Sequence, residues 1–226
     1  MKLTNQQIAQ IEETLVLNGV VYDDIKIELI DHIASEIEAE AMSEAKPFEI
    51  ILKEVFDKWK LQLKPTSHNL LLGYGFLAPK IISDKFADDK KKELFVAGIT
   101  VCMLTVLILL IKNKFQSASI LSSIVFVLQT TSVLGALLIT SARLFVLNSK
   151  AKTTYLFWFK KNFYLILLYG LLIGFGFFPI LPTNKNIEIK VGSLIVTLAY
   201  LFLIFGNLKL FYKHFQFEKK LSFTKP

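Results

Sequence analysis

Apolar residues in the first quarter of the chain recur at the spacing of single helical faces. Ile8, Ile11 and Leu15 follow Thr4, whose partner three residues on is Gln7, a capping-box pattern, and Asn18-Gly19 supplies a stop. Asp23 then opens a second helix as its N-cap, with Ile25, Leu29, Ile33 and Ile37 at intervals of four and Ile30 beside them. A third helix starts at Pro47, suited to a first turn, and carries Phe48, Ile51, Leu52, Val55, Phe56 and Trp59. Three stripes of this kind close on one another, so residues 1–63 predict a three-helix domain without strand signals. About 60 residues give a marginal core, and support is expected from the membrane part, a partner or self-association.

Further on the apolar residues come in runs too long for one face. Leu94–Ile111 has no charge, and its twelve Leu, Ile, Val and Phe residues contribute about −4 to −7 kcal/mol to membrane insertion. Ala118–Leu147 is uncharged until Arg143 and would be about 45 Å long as one helix. Its lipid-facing part is expected to end near Ala142, with Arg143 reaching the headgroups. Phe163–Ile180 and Val191–Leu208 complete four expected spans, at 94–111, 118–142, 163–180 and 191–208. Between the two regions, residues 64–92 hold Pro65, Gly73, Gly75 and Pro79 around Leu70, Leu71, Leu72, Tyr74, Phe76 and Leu77. This segment is expected to be a membrane-proximal linker touching the bilayer surface, with a short helix from Pro79 to Phe86. The fold class is therefore all-α: a cytoplasmic three-helix N-terminal domain and, over 93–226, a four-helix transmembrane bundle with a basic C-terminal tail.

Composition and charge sharpen this. The 226 residues are 53% hydrophobic with 20 Phe, which disfavours disorder and a single soluble globule. Residues 1–63 carry six Lys against thirteen Asp and Glu, whereas 94–226 carry thirteen Lys and one Arg against two Glu, Glu188 and Glu218. The net charge of +7 thus conceals an acidic front and a basic back. Because the basic residues flank apolar runs, no direct nucleic-acid partner is expected. With the N-terminus inside, fifteen Lys and Arg flank the inner ends of the spans and four (Lys112, Lys114, Lys185, Lys190) the outer ends. The positive-inside rule places both termini in the cytoplasm of a bacterial inner membrane. The first 60 residues show no apolar core of a signal peptide, and a single Cys, Cys102, excludes an intramolecular disulfide.

Candidate chemistry is sparse. The second helix carries Glu28, Asp31, His32, Ser35, Glu36, Glu38 and Glu40; Glu28, His32 and Glu36 share one face. That spacing suits a metal only with a matching second helix, and His68 and His214 complete no pattern, so no metal or cofactor is expected. The favoured reading makes Glu28, Asp31, His32 and Glu36 a docking face for a basic cytoplasmic partner. Within the bilayer, Gln129-Thr130-Thr131-Ser132 is a polar patch at mid-depth, and Gln129 is expected to hydrogen-bond a neighbouring helix. Gly170 and Gly174 have GxxxG spacing, for close packing in the bundle or across a homodimer. Phosphate loop, nucleophile elbow and zincin motif are missing, and intramembrane carboxylates are too, so a non-enzymatic protein is expected.

The run Gly19-Val20-Val21-Tyr22-Asp23-Asp24-Ile25-Lys26-Ile27-Glu28-Leu29-Ile30-Asp31-His32-Ile33-Ala34-Ser35-Glu36-Ile37-Glu38, followed by Phe48 to Trp59, resembles the HAAS-type helical domain of bacterial membrane proteins. The chain is also similar in layout to membrane proteins of Bacteroidetes. The resemblance covers roughly residues 5–62. It implies a short helical domain ahead of transmembrane helices, a link to PadR-family transcription regulators and a role in signalling, with no catalytic residues. Together these readings make a signalling or regulatory membrane protein whose N-terminal domain docks a cytoplasmic regulator. The alternatives are a transport or lipid-handling subunit using Gln129–Ser132, and a structural or assembly factor.

Overall fold

The structure, a computed structural model, describes residues 2–43, 46–66, 78–115, 117–181 and 188–224. Among them are seven α-helices and one pair of two-residue strands, so the fold is all-α. The chain divides into two compact units, Met1–Glu93 with Ala151–Thr154, and Leu94–Lys150 with Tyr155–Pro226.

In the first unit, α1 (Asn5–Leu17) opens with the reciprocal cap that the sequence predicts. The Gln7 amide donates to Thr4 Oγ1 at 3.3 Å and the Thr4 amide to Gln7 Oε1 at 2.9 Å. It ends at Gly19, whose φ of 86° is the left-handed conformation that glycine adopts without a Cβ penalty. There the Val20 amide reaches back to the Leu15 carbonyl at 3.0 Å and the Gly19 amide to Val16 at 3.0 Å, a Schellman closure. α2 (Asp23–Ser43) buries Ile25, Leu29, Ile33 and Ile37, and α3 (Phe48–Leu63) buries Ile51, Val55 and Leu63. Phe48, Leu52, Phe56 and Trp59 are only half-buried. The strands β1 (Pro65–Thr66) and β2 (Ala78–Pro79) pair antiparallel, Pro65 with Pro79. His68 and the run 70–77, read as touching the bilayer, lie outside the described residues.

The short helix expected from Pro79 to Phe86 does not end there. α4 runs unbroken from Lys80 to Phe115, so the linker and the first apolar run share one helix. Lys85, Asp88, Asp89, Lys91 and Lys92 are exposed helix residues, Asp84 and Lys90 are half-buried, and no Gly or Pro interrupts them. Ser83 Oγ donates to the Thr66 carbonyl at 2.8 Å and fixes the start of α4 against β1.

The second unit holds the rest of α4 with α5 (Ala118–Phe145), a 3-10 turn (Val146–Asn148), α6 (Thr154–Gly174) and α7 (Val191–Thr224). Four helices are each long and apolar enough to cross a membrane, the architecture of a multi-pass integral membrane protein. One buried cluster joins Ile139, Phe159, Ile166, Ile173, Tyr200 and Ile204; another joins Val101, Leu121, Val125, Ile180 and Leu194.

The third apolar helix is displaced from its expected 163–180. It begins at Thr154 and stops at Gly174. Gly176 has φ 77°, and the Phe177 amide returns to the Leu172 carbonyl at 2.9 Å, a second Schellman closure. From Lys161 to Gly174 the helix covers about 20 Å, short of a roughly 30 Å hydrocarbon core. Non-helical backbone at such depth needs protein around it. Ile180 is buried, and its carbonyl accepts from the Lys190 amide at 2.9 Å.

Candidate functional site

The acidic face of α2 is divided by its own domain. Glu28 holds Lys85 of α4, with Nζ at 3.0 and 2.9 Å from its two oxygens. Glu36 accepts from Trp59 Nε1 at 2.9 Å and faces Lys58 at 3.5 Å, and Lys58 also pairs with Glu40. Lys58 is held above its usual value by Glu40 first and Glu36 second. Asp31 and His32 remain exposed with no side-chain bond among the described residues. Two of the four docking residues therefore already carry internal partners, and two face solvent free. Among the described residues no three His, Cys, Asp or Glu side chains gather as a metal-holding group.

The first turn of α2 does something its sequence does not announce. Residues Ala151–Thr154, which connect the 3-10 turn to α6, pack inside the N-terminal unit. The Asp23 amide donates to the Lys152 carbonyl at 2.7 Å, and the Lys152 amide returns a bond to Asp23 Oδ2 at 2.8 Å. Asp24 Oδ1 accepts from the Thr154 amide at 3.0 Å, and its Oδ2 accepts from the Thr154 hydroxyl. Thr154 is the first residue of α6, so an α2 carboxylate caps a helix 130 residues away in sequence. Ala151, Thr153 and Thr154 are buried. Burial raises the Asp24 carboxyl above its ordinary value, against the Thr154 hydrogen bonds, which lower it. Burial also raises Tyr22, with the Asp24 charge adding to it. Lys26 is drawn down by burial but held up on balance by Glu12 at 2.7 Å and Asp23 at 3.3 Å. Read as a local N-cap, Asp23 gave no sign of a partner loop; a contact across 129 residues leaves no trace in spacing.

In the membrane unit the polar patch behaves differently from its expected role. Thr130, Thr131 and Ser132 each bond carbonyls of their own helix, at 2.8 Å to Phe126, 2.6 Å to Val127 and 2.7 Å to Leu128. Among the described residues Gln129 makes no bond to a neighbouring helix; its half-buried side chain lines a groove of about 570 Å³ with Phe126, Thr130, Val133, Leu134 and Gly174. The expected interhelical glue comes instead from positions the pattern did not mark. Tyr200 donates its hydroxyl to the Ile166 carbonyl at 3.0 Å, and Asn162 Nδ2 donates to Asn207 Oδ1 at 3.3 Å. The two glycines of the GxxxG spacing also separate. A Cβ on Gly170 would lie 2.6 Å from the Tyr200 hydroxyl and 2.9 Å from Ala136 Cβ, so Gly170 is closed inside the bundle. At Gly174 a Cβ would meet only Val133, at an ordinary 3.6 Å.

A third constellation joins Ser149, His214 and Glu218. Ser149 Oγ lies 2.9 Å from His214 Nε2 and donates to Glu218 Oε1 at 2.9 Å. His214 is fully buried. The trio forms a polar junction that joins the start of the Ser149 connection to α7.

No protein-family model matches the chain, and neither the curated proteins nor the solved structures contain a match to it.

Proposed function

We propose that this chain is a non-enzymatic signalling or regulatory protein of the bacterial inner membrane, with both termini in the cytoplasm. Its membrane helices sense or anchor, and its HAAS-like N-terminal domain binds a cytoplasmic regulator. The observation that carries this reading is the clasp of Asp23 and Asp24 on Lys152–Thr154. It ties the connection between two membrane helices to the first turn of the helix that bears Asp31 and His32. We infer that a shift of that connection is passed through the clasp to the partner face, the coupling that signalling needs. The free pair Asp31 and His32 supplies the contact, and the acidic surface steers a cationic partner toward it.

The test places a photocrosslinking residue at His32 in the full-length protein in living cells. The expected result is one cytosolic adduct that Asp31→Lys abolishes and Asp24→Ala alters in yield. No adduct, or an adduct indifferent to both substitutions, refutes the reading.

A further inference from the structure

Gln129 sits in the middle of α5, about 18 Å along the helix from Ser117 and about 21 Å from Arg143. Its primary amide offers two donors and an acceptor, and among the described residues nothing takes them up. Acyl chains supply neither donor nor acceptor at that depth, so a lipid-facing amide of this kind lacks a partner. The groove it lines is open along its side, and a small molecule lying in it would leave much of its own surface uncovered. A helix laid along it covers both the amide and the apolar walls.

We propose that this groove is the docking surface for a second copy of the chain, paired about a two-fold axis near Gln129. Three features select that occupant. A primary amide is its own complement: across a two-fold axis each Nε2–H meets the other copy's Oε1. The walls are self-complementary too, because Phe126, Val133 and Leu134 both line the groove and protrude from α5, so each copy offers a ridge and a recess. Gly174 and Gly176 border the recess; nothing lies within 4 Å of where a Cβ on Gly176 would be, which leaves room for close helix approach. The surface uses Gly174 and not Gly170, which is spent inside the bundle. This pairing does not depend on the signalling role.

The full chain, labelled at its C-terminus and reconstituted in phosphatidylcholine vesicles at falling protein-to-lipid ratios, is counted by single-molecule photobleaching. The expected result is a dimer whose dissociation midpoint shifts by about tenfold or more in Gln129→Leu and is largely restored in Gln129→Asn. Circular dichroism of each variant checks that the helices persist. A second measurement leaves Gln129 intact. In a Cys102→Ser background, Thr130→Cys crosslinks between copies under mild oxidation, whereas Leu107→Cys, exposed on α4 and absent from the groove lining, does not. A monomer at every density overturns the proposal, as do an unmoved midpoint in Gln129→Leu and equal crosslinking at the two cysteines. So does a monomer carrying a lipid-soluble carbonyl compound that Gln129→Leu loses.

Discussion

The two units solve opposite solvation problems with the same secondary structure. In the N-terminal unit α2 buries one ladder, Ile25, Leu29, Ile33 and Ile37, and leaves Glu28, Asp31 and His32 exposed to water. In the membrane unit Leu134, Leu137, Leu138 and Phe126 are exposed along α5, while Thr105, Ser132, Thr197, Asn207 and His214 are buried. One helix face is hidden from water in the first case; in the second, apolar side chains lie both outside and in the core, and polar and small side chains join them in the helix contacts. Packing follows suit. Both units fill their centres with branched aliphatic side chains, but the second also seats side chains directly on glycines, Tyr200 and Ala136 at Gly170 and Ile204 at Gly135.

The largest expected effect strikes the ladder. Ile33→Ala removes a fully buried side chain from a small core and should cost about 2–5 kcal/mol. Hydrogen exchange of α1–α3 in the full chain should rise sharply while α5–α7 stay protected. Equal loosening of both units would show that they do not hold their cores separately.

Next comes a matched pair of exposed leucines. Leu134→Lys, at a residue 60% exposed on α5, should cost about 3–4 kcal/mol of insertion free energy. Leu61→Lys, at a residue 77% exposed on α3, should change stability by less than about 0.5 kcal/mol. Glycosylation-based insertion assays and thermal melts read the two. Similar tolerance at both sites would mean that water, not lipid, surrounds α5.

The clasp should give an intermediate effect. Asp24→Ala removes both acceptors for Thr154 and should destabilise the N-terminal unit by about 1–2 kcal/mol. Its pH dependence has a definite sign. Burial raises the folded carboxyl above its ordinary 3.8, so the folded state holds the proton more tightly than the unfolded state. The stability this group contributes is complete below about 3.8 and is lost as pH rises through the raised value. Stability of the N-terminal unit should therefore fall as pH rises above about 3.8, more in the wild type than in Asp24→Asn. A steeper slope in the variant would contradict the burial argument.

The smallest effect is at the acidic face. Glu28→Ala breaks the pair with Lys85, both half exposed, and should cost at most about 1 kcal/mol, vanishing in high salt. A loss several times larger would make this pair a structural strut of the first unit.

Much of the architecture was legible from residues alone, for a physical reason. Helix formation is local: Thr4 and Gln7, Asn18-Gly19 and the Ile/Leu ladder act within four residues of one another, and a bilayer responds to the mean character of about 20 consecutive residues. Hence the helical class, the three-helix front and the four apolar helices follow from the chain itself. Boundaries were less legible. The third apolar run remains hydrophobic to Ile180, but Gly176 offers a left-handed closure, and the early stop at Gly174 depends on what packs beyond it.

What the sequence could not determine is which polar groups meet. Whether Gln129 bonds a neighbour, which glycine of Gly170 and Gly174 lies inside, and whether Glu28 and Glu36 are free depend on the rotation of one helix about its axis relative to others. A turn of 100° per residue changes every partner without changing the composition. The Asp24–Thr154 cap is the sharpest case: two residues 130 apart are joined only because the folded chain brings a loop and a helix start together. Hydrophobicity is a property of each side chain and so is written in the sequence, whereas a hydrogen bond is a property of a pair and exists only once tertiary structure has brought both members within 3 Å.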